Sequence, residues 1–400
     1  MTFSASQVAY PTGIDELRRV VTASERVHAI GSKHSFSTVA DTTGTLVSLD
    51  HMPPDIDIDT AGSRARVAAA VRYSELALKL DAVGLAVPNM ASLPHISVAG
   101  AVATGTHGSG NANQSLSASV AGLDLTLASG DVISLSRGDE GFEGSVVALG
   151  ALGVVSSLTL DLVPAFAIRQ WVYDGLPVDS LSEDIFAAAY SVSVFTSWRD
   201  PLVFDHVWVK AAAGWETAPA TWQGARLADG PRHPVPGMPT EFTTTQGGVP
   251  GPWHARLPHF RAEFTPSAGE EIQTEYLLPR SALVPAVAAL APLAPRIAPL
   301  LMISEIRSVA ADSLWLSMAY ERDTIGLHFT WRPTPAVADV LPLIEAALAP
   351  FSPRAHWGKV FSPSMSFSYP RLDDFTRLAA GYDPAGKFRD SFTDAVLARA

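Results

Sequence analysis

The sequence predicts an α+β protein of two domains, and three observations carry that prediction. The chain has 400 residues, more than a single core usually holds. Its apolar residues, 47% of the total, switch between helical spacing and strand-like alternation through the first 165 residues. Beyond a Pro- and Gly-dense stretch at 231–258, a second series of strand patterns with helical runs between them begins.

Taken in order, "GIDELRRVVTAS" spaces Leu17, Val20 and Val21 as one face of a short helix. "RVHAIG" and "TLVSLD" are strands. "ARVAAAVRYSELALKLDAVGLAVPN" predicts a strand, a helix and a turn at Gly84. "LDLTLASGDVISLS" is a hairpin around Ser129-Gly130-Asp131, apolar at alternate positions on both arms. "GALGVVSSLTLDLVP" is a strand that Pro164 ends. Together these make a first domain with a mixed sheet. The 231–258 stretch has loop composition, and a loop this long in a folded enzyme is a lid or a wrap between domains. Strands return at "FRAEFTP", "EIQTEYLLP", "LLMISEIRSV", "LWLSMAY" and "TIGLHFTW", with helices at "SALVPAVAAL" and "ADVLPLIEAALAPF". A last helix in "YPRLDDFTRLAAGYDPAGKF" stops at Gly381 and Pro384.

Composition narrows the partners. A net charge of −12 argues against nucleic acid and anionic membranes. The absence of cysteine removes disulfides, thiolate zinc sites and cysteine nucleophiles. The first residues show no basic region followed by an apolar run, which favours the cytoplasm. The most apolar stretch, residues 281–304, is broken by prolines and Arg296, so it predicts a buried helix rather than a membrane span. No His/Asp/Glu pattern with metal-ligand spacing is present, so no metal is expected.

Three turns are unusually rich in small residues. "GSKHSF" (31–36) puts His34 on a tight turn; "SVAGAVATGTHGSGNAN" (97–113) holds Gly100, Gly105, Gly108 and Gly110; "LGALGVV" (149–155) leads into a strand. Such turns let backbone N–H groups approach an anion, though each alone also fits a plain surface loop. None is G-x-G-x-x-G after a strand, a Walker loop, or a G-x-S-x-G elbow around Ser109. Three in one domain suggest a long, phosphate-bearing cofactor.

"GSKHSF", "PNMASLPHISVAGAVATGTHGSG" and "GALGVV", followed by "SEIR", "HFTW", "HWGK" and "DPAGKF", resemble the vanillyl-alcohol oxidase family of flavoproteins. Within it the set resembles the alditol (xylitol) oxidases, beside the aldonolactone oxidases. The block from Pro88 to Gly110 is the specific part. The resemblance implies a PCMH-type FAD-binding domain at 1–165, to which 352–400 returns, and a sheet-plus-helix substrate (cap) domain at 166–351. It implies FAD bonded covalently through His34; Lys33 departs from the small residue the family often has there. The implied cofactor contacts are Gly31, Ser32, Lys33, Ser35, Ser92, Ser97, Gly100, Thr104, Gly105, Thr106, His107, Gly108, Gly150, Gly153, Val154 and Val155. For His107, and for His95, a purely structural role is the other reading.

Two strands present pairs. Glu305 and Arg307 in "ISEIRSV", and His328 and Thr330 in "GLHFTW", are two residues apart and share a face, leaving Ile306 and Phe329 to point into a core. From the residues alone this is a ligand surface or an ion pair on a solvated sheet. The resemblance makes Glu305, Arg307, His328, Thr330, Lys359 and Ser92 the polyol site, with Lys359, Arg307 and Glu305 catalytic. A cation near the reacting hydroxyl would stabilise alkoxide character; the proton acceptor is either Lys359 or a water held by Glu305. The implied activity oxidises the C1 hydroxyl of sugar alcohols to the aldose, with dioxygen giving hydrogen peroxide. The small Ala91 beside Ser92 fits an oxygen path. An aldonolactone oxidase or dehydrogenase is the alternative, and a non-catalytic flavin- or carbohydrate-binding protein the further one. The expected partners are a small polyol and dioxygen, with the chain a monomer.

Overall fold

The computed structural model describes residues 3–199, 201–263, 271–365 and 369–398. Helix Ile14–Ala23 buries Leu17 and Val21 in a cluster with Val27, Val47 and Val154. Val27 and Val47 sit in a parallel three-stranded sheet of Gln7–Ala9, Thr45–Ser48 and Val27–Ile30, with Thr45–Ser48 in the middle. A second, antiparallel sheet runs Ile56–Asp59, Arg64–Ala68, Val154–Asp161, Val120–Thr126, Val132–Ser136. Its predicted hairpin closes where Leu127 N–H donates to Asp131 O at 2.8 Å and Gly130 takes φ +85°.

A ten-stranded antiparallel sheet follows in sequence. Its centre is Phe204–Ala211, Ser191–Thr196, Leu301–Val309, Thr324–Trp331 and Ile272–Pro279, side by side. One face carries Ile306, Leu327, Phe329, Tyr276 and Leu278 into a core shared with helices Leu283–Leu290 and Val337–Leu348. Ile306 and Phe329 are both fully buried there, as the alternation predicts. The opposite face carries the site.

The C-terminal helices Leu372–Tyr382 and Ser391–Leu397 place Leu372, Phe375, Ala379, Val396 and Leu397 in the first core, with Leu123, Leu125, Leu158 and Leu160. The second helix was not read from the sequence, although Asp390 caps it in a reciprocal box with Thr393. Strands Ala167–Leu176, Ser191–Thr196 and Phe204–Ala211 were also unread. Among the described residues no helix is long and apolar enough to cross a membrane.

Five sequence readings need correction. The first domain holds a parallel sheet and a separate antiparallel one, not one mixed sheet, and the helix Leu372–Tyr382 runs through Gly381 instead of stopping there. "LWLSMAY" is a buried loop, not a strand. Asp312 accepts Leu314 N–H at 3.1 Å, Ser317 Oγ at 2.6 Å and Ser115 Oγ at 3.0 Å, so a carboxylate replaces a neighbouring strand as the organiser. "FRAEFTP" shows only a single bridge from Phe260 to Thr243, and residues 264–266 lie outside the described residues. The 97–113 stretch is not all loop: Val98–Ala103 is a helix. It ends at Gly105 (φ +67°), with Gly105 N–H on Val102 O and Thr106 N–H on Ala101 O, a glycine C-cap that no L side chain adopts without strain.

Candidate active site

One cavity of about 640 Å³ is lined by residues of the first core and by the polar face of the large sheet. Its long part is walled by small side chains and bare backbone: Ala29, Gly31, Ala69, Ala70, Ala99, Gly100, Ala103, Ala148, Gly150 and Gly153 among them. Its other end meets the polar face of the large sheet, with Glu275, Glu305, Arg307, His328, Thr330 and Lys359.

Segments far apart in sequence form the waist. Phe36 N–H donates to Gly358 O at 2.7 Å, and Ser37 Oγ to Trp357 O at 2.6 Å. Ser32 N–H donates to Ser97 Oγ at 3.3 Å while Ser97 N–H donates to Ser32 Oγ at 3.0 Å. The "GSKHSF", "SVAGAVATG" and "HWGK" motifs are thus one constellation. His34 lies half-buried on the cavity wall. Burial, then the positive neighbours His95, Arg72 and Lys359, lower its pKa, which keeps the imidazole neutral. Lys33, at φ +64°, is exposed on the same turn.

Strand register builds the polar end. Glu305 stands opposite His328, and His328 opposite Glu275, so the three form one row on one face. Thr330 pairs with Ile303 and Gln273 in the next row. On the other side Arg307 faces Gly326. A Cβ there would lie 3.2 Å from Glu275 Oε1, so the glycine clears the path by which the guanidinium reaches diagonally across. Arg307 Nη2 donates to Glu275 Oε1 at 2.9 Å, Nη1 to Ser92 Oγ at 3.3 Å, and Nε lies 3.7 Å from Glu305 Oε2. His328 Nε2 is 3.2 Å from Gln273 Oε1, which also accepts from Lys359 Nζ.

The electrostatics follow from that packing. Burial would raise the Glu305 and Glu275 carboxyls, but Arg307 and a histidine beside each hold both well below the usual range. Burial lowers Arg307, and the two carboxylates more than restore it. Burial drops His328 to about 3 and Lys359 to about 8, the latter helped by Arg307 and opposed by Glu275. Lys359 Nζ also lies 5.3 Å from the Phe36 ring centre.

Most of the sequence-predicted residues line this cavity; Gly105, Gly108 and Val154 do not. Gly105 is the helix cap described above. Gly108 packs on Asn89 and Met90. Val154 points into the Leu17–Val21 cluster, while its neighbour Val155 faces the cavity. His107 lines the cavity but turns toward Glu275, with Nε2 at 3.2 Å from Oε1. Glu275, Gln273, His259, His356 and Lys210 were missed. For Gln273 and Glu275 the signal existed: they have the same i, i+2 spacing as Glu305 and Arg307.

The sequence also gave no hint of a metal grouping, yet ligand atoms of His107, Glu275 and His356 lie within 4.8 Å of one another. Arg307 already occupies the same Glu275 oxygen, and a guanidinium beside it repels a second cation.

The long arm fits FAD. A Cβ on Gly31 would fall 2.6 Å from Ser97 Oγ and 3.5 Å from Gly100 Cα, so two stretches of backbone meet there without side chains between them and the ligand space. The residues able to hold the group are those of the 31–35, 97–106 and 149–155 segments on the wall.

Comparisons with known proteins agree. Residues 5–136 match the FAD binding domain family, and residues 270–396 match the D-arabinono-1,4-lactone oxidase family. An alditol oxidase from Streptomyces is 49% identical over 99% of this chain and 97% of that protein. An L-gulono-1,4-lactone dehydrogenase from Mycobacterium tuberculosis is 27% identical over 98% and 96%. Among solved structures, cholesterol oxidase from Brevibacterium sterolicum superposes with TM-score 0.79 at 14% identity, covering 98% of this chain and 94% of that one. 6-Hydroxy-D-nicotine oxidase from Arthrobacter nicotinovorans does so with TM-score 0.71 at 17% identity, covering 96% and 90%. The two structures share the fold, and the Streptomyces relative places the sequence: the chain is an FAD-dependent oxidoreductase that belongs to the alditol oxidase family.

Proposed function

We propose that this protein oxidises the C1 hydroxyl of an open-chain sugar alcohol such as xylitol or sorbitol to the aldose. The carrying observation is the row of Glu305, His328 and Glu275, with Thr330, Arg307 and Lys359 beside it, at the end of a cofactor-sized apolar trough. FAD held by the 31–35, 97–106 and 149–155 segments would supply the hydride acceptor for the carbinol carbon and the two-electron reduction of O2 to H2O2.

The chain's own residues do the rest. A polyol offers a donor and an acceptor at every carbon. Glu305 accepts, His328 and Thr330 can do either, and Arg307 and Ser92 close the set. Because these groups sit in a buried pocket, an analogue lacking a hydroxyl leaves one unpaired and is rejected. Lys359, lowered to about 8 by burial, takes the O–H proton in its neutral form. Arg307, held cationic between Glu275 and Glu305, stabilises the alkoxide character that develops. His34, kept neutral by its surroundings, is the nucleophilic nitrogen of the proposed covalent flavin link. The domain limits 1–165 and 166–351, with 352–400 rejoining the first, belong to this reading; Leu372, Phe375 and Val396 in the first core support the return of the C-terminal segment, while Ile168, Trp253 and Leu257 in the same core cross the limit. The proposed setting is a monomer in the cytoplasm.

The D-arabinono-1,4-lactone oxidase match over 270–396 favours one second reading, a lactone as substrate. The test is the visible spectrum of the purified protein without oxygen. Bleaching by xylitol, followed by peroxide when air is admitted, supports the polyol. Bleaching by L-gulono-1,4-lactone but not by xylitol moves the substrate to the lactone. Yellow colour that leaves the protein in denaturant overturns the link through His34.

A further inference from the structure

Lys210 is 1% exposed in the middle of the large sheet. A lysine in such a place needs acceptors for all three of its N–H bonds. It has them: Leu257 O, Pro258 O at 3.0 Å and His259 Nδ1 at 3.1 Å. An ammonium has no lone pair, so His259 Nδ1 must be the acceptor. The proton of a neutral His259 then sits on Nε2, 2.8 Å from Glu305 Oε1. The His259 ring is held edge-on against Trp208 and Phe195, at 5.1 and 5.7 Å between centres. Its remaining freedom is the choice of tautomer, which Lys210 removes.

The same residues fasten the 231–260 wrap. Pro258 O also accepts Thr244 Oγ1 at 2.7 Å, His259 O accepts Thr244 N–H at 2.9 Å, and His259 N–H reaches Ser92 O at 3.0 Å. From this wrap His233, Pro234, Val235, Met238 and Phe260 face the cavity. Two cations, Lys210 and Arg307, are buried near two carboxylates, Glu305 and Glu275, with Lys359 on the cavity wall as the third basic group. Burial draws Lys210 down to about 7 against the pull of Glu305, but losing its proton would turn a lone pair on one of three acceptors. His259, dropped to about 4 by burial, stays neutral.

We infer that Lys210 and His259 are positioning residues for this site: Lys210 locks His259 as the Nε2–H tautomer that orients Glu305, and clasps the 231–260 wrap as the wall limiting polyol length. The inference rests on the polyol reading for its substrate but not for its geometry. Nitrogen-15 NMR of histidine-labelled holoenzyme tests the geometry alone, with His259→Gln assigning the signal. A protonated Nε2 and unprotonated Nδ1 supports the clasp. A protonated Nδ1, or an imidazolium, overturns it even if xylitol is a good substrate. Kinetics test the role. Lys210→Met should raise KM for xylitol at least about tenfold, with kcat within about threefold. It should also shift kcat/KM toward the longer sorbitol. A Lys210→Met protein with unchanged KM and unchanged xylitol-to-sorbitol preference in its flavin-loaded fraction overturns it. If Lys210→Met does not fold, His259→Gln is read the same way. It keeps an N–H for Glu305 but loses the imidazole, so KM should rise less than in His259→Ala. Should the wild type ignore xylitol while His259 shows the expected tautomer, the clasp stands and the polyol reading falls.

Discussion

Lys359 sits where three influences meet: burial, the Arg307 charge and the carbonyl oxygen of Gln273. As the proposed proton acceptor it must be neutral, and burial lowers it to about 8. Activity therefore rises with pH through about 8 and then levels. Lys359→Met should lower kcat about 10²- to 10⁴-fold and abolish that rise. A profile that falls through pH 8 would instead make the ammonium the working form. Residues of this kind were partly legible. His34 stood out because a histidine on a turn of serines has no packing reason to be there. Glu305, Arg307, His328 and Thr330 stood out because two residues on a strand share a face. Glu275 carries the same spacing with Gln273 and was overlooked, whereas Lys210 and His259 have no such signal, because each meets the cluster only through a partner distant in sequence. Lys210 reaches His259 only through strand pairing and the returning wrap.

At the scale of elements, strands Leu301–Val309 and Thr324–Trp331 do two jobs with alternate residues. One side holds charge and the other is solid core. Phe329 stacks on Trp331 with centres 5.2 Å apart and lies 6.2 Å from Trp198. Phe329→Ala should cost about 3–5 kcal/mol by denaturant titration, with the flavin-loaded fraction that remains keeping its KM. A matching loss in KM at full stability would mean the two faces are not independent. Composition showed these strands, because they are rich in β-branched and aromatic residues. It misled at "LWLSMAY", which is just as apolar and aromatic. There the backbone partners are the Asp312 carboxylate and nearby turns, and no pattern of apolar residues distinguishes that from a strand. The C-terminal helix after Asp390 was missed because seven residues are too few for helical spacing to show.

Across the whole molecule the buried histidines set the response to acid. His259 and His328 protonate near 6.5 in an unfolded chain but only near about 4 and about 3 when folded, and His356 is likewise lowered by burial. Between those limits the unfolded chain binds more protons, so stability must fall as pH falls from about 6.5 toward 4. Below that, the paired carboxylates Glu275 and Glu305 add to the loss. Melting temperature should drop steadily over this range, and a curve flat between pH 7 and 4.5 would contradict the buried, neutral state of these imidazoles. Length and loop composition predict two domains; the core that holds Leu123 and Leu158 crosses that division by taking in Ile168, Trp253 and Leu257. A cavity between that core and the polar face of the large sheet was not visible, because it depends on the segment near 358 folding back onto residues 36 and 37.

That contact carries a consequence for the making of the protein. The turn bearing His34 leaves the ribosome before its anchors, Trp357 and Gly358, which follow some 320 residues later. A nascent chain therefore has the histidine long before it has the cradle that shapes it. Loading of the proposed covalent flavin becomes a step that waits for both segments, and the colour of the protein becomes a report that translation has passed residue 358.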